Sequence, residues 1–128
     1  GARSPRRSQA DITAAPPDHP CVVTTALGTE NEAESLAAAL VEAGLAACVQ
    51  VMHVRSFYRW EGELKREPEW VLLVKTRSAR FAEVEAFIRE RHSYELPEVL
   101  QLPVSGGAPD YLRWLLDSTS PAGAKPQA

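Results

Sequence analysis

The stretch AACVQVMHVRSFYRW, residues 46–60, is the longest extended segment that the sequence predicts. Its apolar side chains stand at odd positions at first, as at Val49, and at even positions later, as at Trp60. Successive side chains of a strand point to opposite faces, so a change of parity requires an extra residue or a strong twist. We therefore expect a bulge or a strong twist near residues 52–54.

A turn and a second apolar strand follow this segment. The pair Glu61-Gly62 supplies the turn, and WVLLV, residues 70–74, is a continuous apolar run. Such a run is typical of a strand that is buried on both faces. The two strands are predicted to form a long hairpin that extends beyond the main sheet.

The residues before the hairpin predict a strand and a helix. Cys21–Ala26 is a short, largely β-branched run that indicates the first strand. Thr29 stands three residues before Glu32, which is the capping-box spacing of a helix start, and Gly44 supplies the stop. One apolar stripe at helical spacing lies between them: Ala33, Leu36, Ala37, Leu40 and Val41.

The residues after the hairpin complete the fold. Ser78 is expected to cap a second helix. The core side of that helix carries Phe81, Val84, Phe87 and Ile88. Val99–Leu102 indicates the last main strand, and Asp110 starts a terminal helix. The order predicts an α+β, ferredoxin-like βαββαβ fold: an antiparallel sheet with helices on one face, an extended hairpin between the second and third strands, and a C-terminal helix.

Length and composition favour one folded domain between two polar ends. The chain has 128 residues, of which 45% are hydrophobic, and this is enough to bury a core. Residues 1–20 are polar and proline-rich and are expected to be a disordered arm, and residues 120–128 a disordered tail. The predicted folded domain spans residues 21–119.

Charge, hydropathy and cysteine usage limit the classes of partner. A net charge of −3 and a pI near 5.6 argue against nucleic acid, which binds to basic surfaces. No apolar run approaches the roughly 20 residues of a membrane-spanning helix. Cys21 and Cys48 have apolar neighbours and no metal-ligand spacing, so they predict buried free thiols and a reducing, cytoplasmic compartment.

A group of polar side chains precedes the last strand. RHSYELPEVLQLPV, residues 91–104, contains Pro97, which withholds a backbone donor and therefore belongs at a strand start or a sheet edge. His92 is predicted to cap the preceding helix, with a metal-ligand or proton-carrier role as the alternative. Glu95 and Glu98, three residues apart on an extended chain, are expected on opposite faces.

Several short motifs together resemble the CutA divalent-cation tolerance family over residues 22–116. They are AACV at 46–49, SFYRWEG at 56–62, VKT at 74–76, YELPE at 94–98 and DYLRWL at 110–115. The resemblance implies a ferredoxin-like subunit, similar to the PII signalling proteins, that assembles as a tight homotrimer. The residues favour assembly too, because a hairpin that carries Phe57, Trp60 and Trp70 has more apolar surface than one small sheet can cover.

The resemblance also implies a link to copper and other divalent cations. The ligands proposed in that family, a cysteine and two histidines, correspond here to Thr24, Arg91 and His92. Only His92 has a side chain suited to bind copper. We therefore expect Cu(II) or another divalent cation to bind weakly, with His92 and, as a weaker candidate, Cys48 as ligands.

The predicted functional site is a cleft between subunits. Its candidate residues are Tyr58, Trp60, Lys75, Tyr94, Glu95 and Glu98. The glutamates are expected to form salt bridges or hydrogen bonds there, with Lys75 or Arg59 as candidate partners. Because no catalytic motif is present, the protein is expected to bind metal ions or small ligands without catalysis. The alternatives are a PII-like signalling module and a small hydrolase or isomerase that uses His92 and the two glutamates.

Overall fold

Four strands and three helices make up residues 17–121, the part of the chain that the computed structural model describes. In chain order they are β1 (Pro20–Leu27), α1 (Glu30–Glu42), β2 (Cys48–Trp60), β3 (Glu63–Arg77), α2 (Phe81–Arg91), β4 (Leu100–Pro103) and α3 (Pro109–Ser118). The strands form one antiparallel sheet in the order β2-β3-β1-β4. This is the α+β architecture that the sequence predicts.

The core lies between one face of the sheet and the helices α1 and α2. Both helices use the predicted apolar stripes, and the strands contribute alternate residues. The buried cluster includes Val23, Leu27, Leu36, Leu40, Leu72, Val74, Val84 and Ile88. The predicted ends of α1 are confirmed, because the Thr29 hydroxyl accepts a hydrogen bond from the Glu32 N–H at 3.1 Å and Gly44 has a positive φ of 75°.

The predicted bulge in β2 is wrong. Cys48 pairs with Lys75, Trp60 pairs with Glu63, and every residue between them pairs in the same register. The parity of the apolar residues changes because the two ends of β2 carry their apolar side chains on different faces of one uninterrupted ladder. Near its start, β2 turns Val49 towards the helices, whereas near its end it turns Tyr58 and Trp60 towards the opposite face.

The hairpin turn contains two residues with positive φ, Glu61 at 51° and Gly62 at 82°. This is the backbone of a two-residue turn whose twist matches that of the flanking strands. The turn therefore supports the uninterrupted pairing of β2 with β3.

The third helix lies at the sheet face opposite α1 and α2. Lys75 and Arg77 alternate with the core residues Val74 and Thr76 and so point to that opposite face. The Lys75 ammonium lies over the Tyr111 ring of α3, and the Arg77 guanidinium donates to the Leu116 carbonyl. The strand at residues 70–74 is not buried on both faces as predicted, since Val71 and Leu73 remain half-buried within one protomer.

The start of the folded region departs from the sequence-based boundaries. Strand β1 begins at Pro20, within the predicted arm of residues 1–20, of which residues 1–16 lie outside the described residues. Asp18 accepts hydrogen bonds from the Ala79 N–H at 3.0 Å and the Ser78 hydroxyl at 3.1 Å. Asp18, not Ser78, therefore caps the short 3₁₀ turn Ser78–Arg80 that precedes α2. Of the predicted tail, residues 120 and 121 are described.

Electrostatics at Asp18 agree with this capping role. Burial favours a higher pKa, but hydrogen bonds from Ala79 and Ser78 and the guanidinium of Arg77 outweigh it and lower the pKa of Asp18. The carboxylate is thus held in its charged form beside the turn. Within residues 17–121, no helix is long and apolar enough to cross a membrane.

Two fully buried threonines on the helix side of the sheet give a stability test. The Thr25 hydroxyl has no hydrogen-bond partner among the described residues, whereas the Thr76 hydroxyl donates to the Leu45 carbonyl at 2.7 Å. Thr25→Val should raise the free energy of unfolding by about 1 kcal/mol, because it removes an unpaired buried polar group. Thermal unfolding at fixed protein concentration measures the change.

Thr76→Val is the matched control for this substitution. It changes the same atoms in an equally buried position but breaks a hydrogen bond, so it should lower stability by about 1 to 2 kcal/mol. Equal effects of the two substitutions would show that the unpaired hydroxyl of Thr25 carries no cost.

Candidate functional site

A cleft of about 600 Å³ opens on the sheet face opposite α1 and α2, beside the hairpin. Its lining residues are Ala26, Ser56, Phe57, Tyr58, Trp60, Glu67, Glu69, Tyr94, Glu95, Leu96 and Glu98. Five of the six predicted cleft residues are among them. The lining contains four glutamates and neither lysine nor arginine, so its charge is strongly negative.

The register of the hairpin places polar side chains from both β2 and β3 on this face. In an antiparallel pair, directly opposed residues lie on the same side of the sheet. Ser56 is opposite Glu67, and Tyr58 is opposite Lys65. Even-numbered residues of β2 and odd-numbered residues of β3 therefore share the cleft face.

Two tyrosine–glutamate hydrogen bonds lie in the cleft. The Tyr58 hydroxyl donates to Glu67 Oε1 at 2.5 Å, and the Tyr94 hydroxyl donates to Glu69 Oε2 at 2.9 Å. The hydrogen bond to Glu67, together with desolvation and the charges of both glutamates, raises the pKa of Tyr58 to about 12. Desolvation, followed by the bond to Glu69, raises the pKa of Tyr94 even further. Both phenols therefore stay protonated at neutral pH.

Gly28 gives Tyr94 room to reach Glu69. A Cβ atom at position 28 would lie 3.1 Å from the Tyr94 hydroxyl oxygen, closer than ordinary van der Waals contact. Glu69, which accepts the hydrogen bond from that hydroxyl, is only 8% exposed. The lack of a side chain at Gly28 thus allows Tyr94 to cover a buried carboxylate.

Both ring nitrogens of His92 are used within the chain. Nδ1 accepts from the Tyr94 N–H at 3.1 Å, so Nε2 carries the proton and donates to the Ala26 carbonyl at 2.7 Å. A metal ion would need a free lone pair on one ring nitrogen, and here both nitrogens are already engaged in hydrogen bonds. His92 is the C-cap residue of α2, but its ring binds a carbonyl of β1 rather than the carbonyls of the helix.

The other positions that match the proposed copper ligands do not form a metal site. The Thr24 hydroxyl donates to Glu98 Oε2 at 2.7 Å, and the Arg91 guanidinium lies 3.6 Å from the centre of the Phe87 ring. Together with His92, they do not fit a copper ion. Across residues 17–121, no three histidine, cysteine, aspartate or glutamate side chains are arranged to hold a metal.

Cys48 lies apart from the cleft lining. It is the first residue of β2, is paired with Lys75 and is half-buried, not fully buried as predicted. Cys21, the other free thiol, is fully buried, and desolvation raises its pKa to about 11. The setting of Cys21 therefore disfavours the thiolate.

The predicted placement of Glu95 and Glu98 on opposite faces is wrong, and Lys75 and Arg59 have other contacts within one protomer. Glu95 and Glu98 both line the cleft, because residues 92–99 form an irregular segment in which strand alternation does not apply. Lys75 is absent from the lining and contacts Tyr111. Within the protomer Arg59 donates to the Gly62 carbonyl rather than to a glutamate.

Glu67 and Glu69 are site residues that the sequence analysis missed. The apolar run predicts a third strand that starts at Trp70, although β3 begins at Glu63. The spacing of the two glutamates could have identified them, because residues two apart share a face of any extended strand. Extending the hairpin in register from the turn would have placed Glu67 opposite Ser56.

Comparisons with known proteins agree with this geometry. A family model described as CutA1 divalent ion tolerance protein matches residues 21–118. The divalent-cation tolerance protein CutA of Archaeoglobus fulgidus is 39% identical over 97 residues, which cover 76% of this chain and 94% of that protein. The CutA homolog of Xenopus laevis is 42% identical over 89 residues, 69% of this chain and 59% of that longer protein.

A solved structure shares the fold. The divalent cation tolerance protein of Thermus thermophilus superposes with a TM-score of 0.76 at 38% identity, over 79% of this chain and 99% of that one. Similarity of this extent supports the same topology throughout the described region.

The two tyrosines allow a direct comparison of a buried and an exposed hydrogen bond. Tyr94→Phe should lower the free energy of unfolding by about 2 kcal/mol, because it leaves the buried Glu69 carboxylate without its donor. Tyr58→Phe, whose partner Glu67 is exposed, should have a much smaller effect. Chemical denaturation of both variants gives the measurement, and equal losses would contradict the importance of Glu69 burial.

Proposed function

The chain belongs to the CutA1 divalent ion tolerance protein family, and we propose that it is a non-catalytic homotrimer that binds divalent cations weakly at its acidic cleft. The observation that carries this proposal is the composition of the cleft, which has four carboxylates and no basic side chain in its lining. Carboxylate oxygens are ligands for Mg²⁺, Mn²⁺ and Ca²⁺ and also bind Cu(II). A cytoplasmic location, predicted from the free thiols, is part of this proposal.

Exposed apolar side chains support assembly into a trimer. Leu100 and Leu102 are 58% and 48% exposed, and they lie on β4, an edge strand of the sheet. The other edge is β2, at the long hairpin. A closed ring of subunits would cover these side chains and pair free strand edges.

The acidic cleft disfavours the PII-like alternative at this site. A nucleotide carries several negative charges on its phosphates, and phosphate sites in proteins use basic side chains or helix N-termini. The four glutamates of the lining would repel such a ligand. We therefore favour cations over nucleotides as ligands of the cleft.

A charge at the β4 edge should break the trimer. In multi-angle light scattering the wild-type protein should have the mass of three 14.0 kDa chains, and Leu102→Glu should lower this mass. Val41→Glu is the control, because Val41 is similarly exposed at 44% but lies on α1. A wild-type mass of 14.0 kDa at micromolar concentration would contradict the proposed assembly.

Metal titration tests which side chains bind cations. The double variant Glu67→Gln/Glu69→Gln should bind Cu(II) and Mn(II) about tenfold more weakly than wild type in calorimetry, since two charge-assisted contacts are lost. Glu90→Gln, on the exposed side of α2, should leave the affinity unchanged.

Two further variants test the ligands predicted from the sequence. His92→Asn and Cys48→Ser should bind Cu(II) as wild type does, because His92 is engaged within the chain. A loss of Cu(II) affinity in either variant, with the glutamate variant unaffected, would show that the cation site lies outside the cleft and would contradict the proposal.

A further inference from the structure

We propose that the cleft binds an alkylguanidinium group of the arginine side-chain type. This inference rests on the proposed function in one respect, because both require the negative charge of the cleft. It goes further by naming an organic cation, for which the aromatic part of the lining is as necessary as the carboxylates.

The size and lining of the cleft suit an organic cation. A volume of about 600 Å³ lies in the range of small-molecule sites and is far larger than one metal ion needs. Four aromatic side chains, Phe57, Tyr58, Trp60 and Tyr94, share the lining with the glutamates. Aromatic rings attract cations at their faces, and arginine makes such contacts more often than lysine does.

Glu69 is the strongest single indication of a cationic ligand. It is 8% exposed and lines the cleft. Tyr94 donates to its Oε2, but Oε1 accepts no hydrogen bond from any residue in the range 17–121, and no described basic side chain forms an ion pair with it. Glu69 Oε1 is not among the buried unpaired atoms of the described residues, so it is accessible from the cleft and can accept a charge-assisted hydrogen bond from a cation there.

The neighbouring titratable groups show that no internal cation fills this role among the described residues. Hydrogen bonding and the charges of Glu67 and Glu69 raise the pKa of Tyr58, which indicates a negative local potential. Lys65 lies on the same face, but its Nζ is 3.7 Å from Glu63 Oε1. Lys75 lies over Tyr111. Both lysines are outside the cleft lining.

A guanidinium matches this site better than a metal ion or an ammonium group. Its planar fork of five donors can reach carboxylates that are separated in space, and the same plane can stack on an aromatic ring. A metal ion instead requires several ligand atoms that converge within about 2.0–2.6 Å. In the described residues such a convergent group is absent.

The guanidinium can come from two sources. One is a free small molecule. The other is an arginine of this chain itself, since Arg3, Arg6 and Arg7 precede the described residues. The roughly ten residues between Arg7 and Pro17 can span about 33 Å when extended, which is longer than strand β1.

Calorimetric titration of the full-length protein with N-acetylarginine amide tests the inference. The matched probe is N-acetylcitrulline amide, which has nearly the same shape but no charge. We expect the arginine probe to bind at least about tenfold more tightly than the citrulline probe, because charge-assisted hydrogen bonds are lost in the latter. Equal affinities, or no binding of the arginine probe, would overturn the inference.

Variants assign the binding to the cleft. Glu69→Gln and Trp60→Leu should each weaken binding of the arginine probe about tenfold, whereas Trp114→Leu, on α3 outside the lining, should not. Glu67→Gln replaces Glu69→Gln if the buried substitution prevents folding. Unchanged binding in the glutamate and Trp60 variants would place the probe elsewhere and refute the site.

One further variant separates the sources, and metal titration separates this inference from the proposed function. Replacing Arg3, Arg6 and Arg7 together with glutamine should strengthen binding of the probe if these arginines occupy the cleft, and should leave it unchanged if the natural ligand is a free molecule. Mn(II) binding without arginine binding would refute only the present inference. Absence of both would refute the cleft as a cation site altogether.

Discussion

The structure depends on the uninterrupted pairing of β2 with β3, thirteen residue pairs from Cys48–Lys75 to Trp60–Glu63. Side chains on a strand alternate between faces, so this single register decides which residues meet on the cleft side. It places Tyr58 within reach of Glu67 and leaves Val49 facing the helices. An extra residue anywhere in the ladder would exchange the two faces beyond it and separate the core from the cleft.

Local signals were sufficient to predict most of the fold from the sequence. The Thr29 cap, the stripe on α1 and the Gly44 stop each follow from short-range geometry, and the structure confirms them. The bulge was wrong because parity was interpreted as a property of the backbone. It is in fact a property of the face on which each end of β2 carries its apolar side chains: Val49 packs against the core, whereas Tyr58 and Trp60 line the cleft on the other face. Tertiary contacts of this kind leave no trace in a single strand.

The candidate site was predictable where residues are fixed by motifs and unpredictable where packing decides. Tyr58, Trp60, Tyr94, Glu95 and Glu98 were placed in the cleft through the resemblance, and they line it. Lys75 lies on the same sheet face but, near the opposite end of β3, contacts α3 instead. Glu67 and Glu69 were missed because they lie in the polar first half of β3, which lacks the apolar run that identifies a strand.

The segment after α2 shows why the residues at the proposed copper-ligand positions do not form a copper site in this chain. Strand β1 and the residue after it contact that segment at alternate positions: Thr24 binds Glu98, the Ala26 carbonyl binds His92, and Gly28 leaves room for Tyr94. The side chains at two of the three proposed copper-ligand positions, Thr24 and His92, therefore hold lining residues of the cleft in place through hydrogen bonds. Withdrawing His92 to bind a metal would release both the Ala26 carbonyl and the Tyr94 N–H. The same side chains cannot do both, so cations are expected at the carboxylates of the cleft lining.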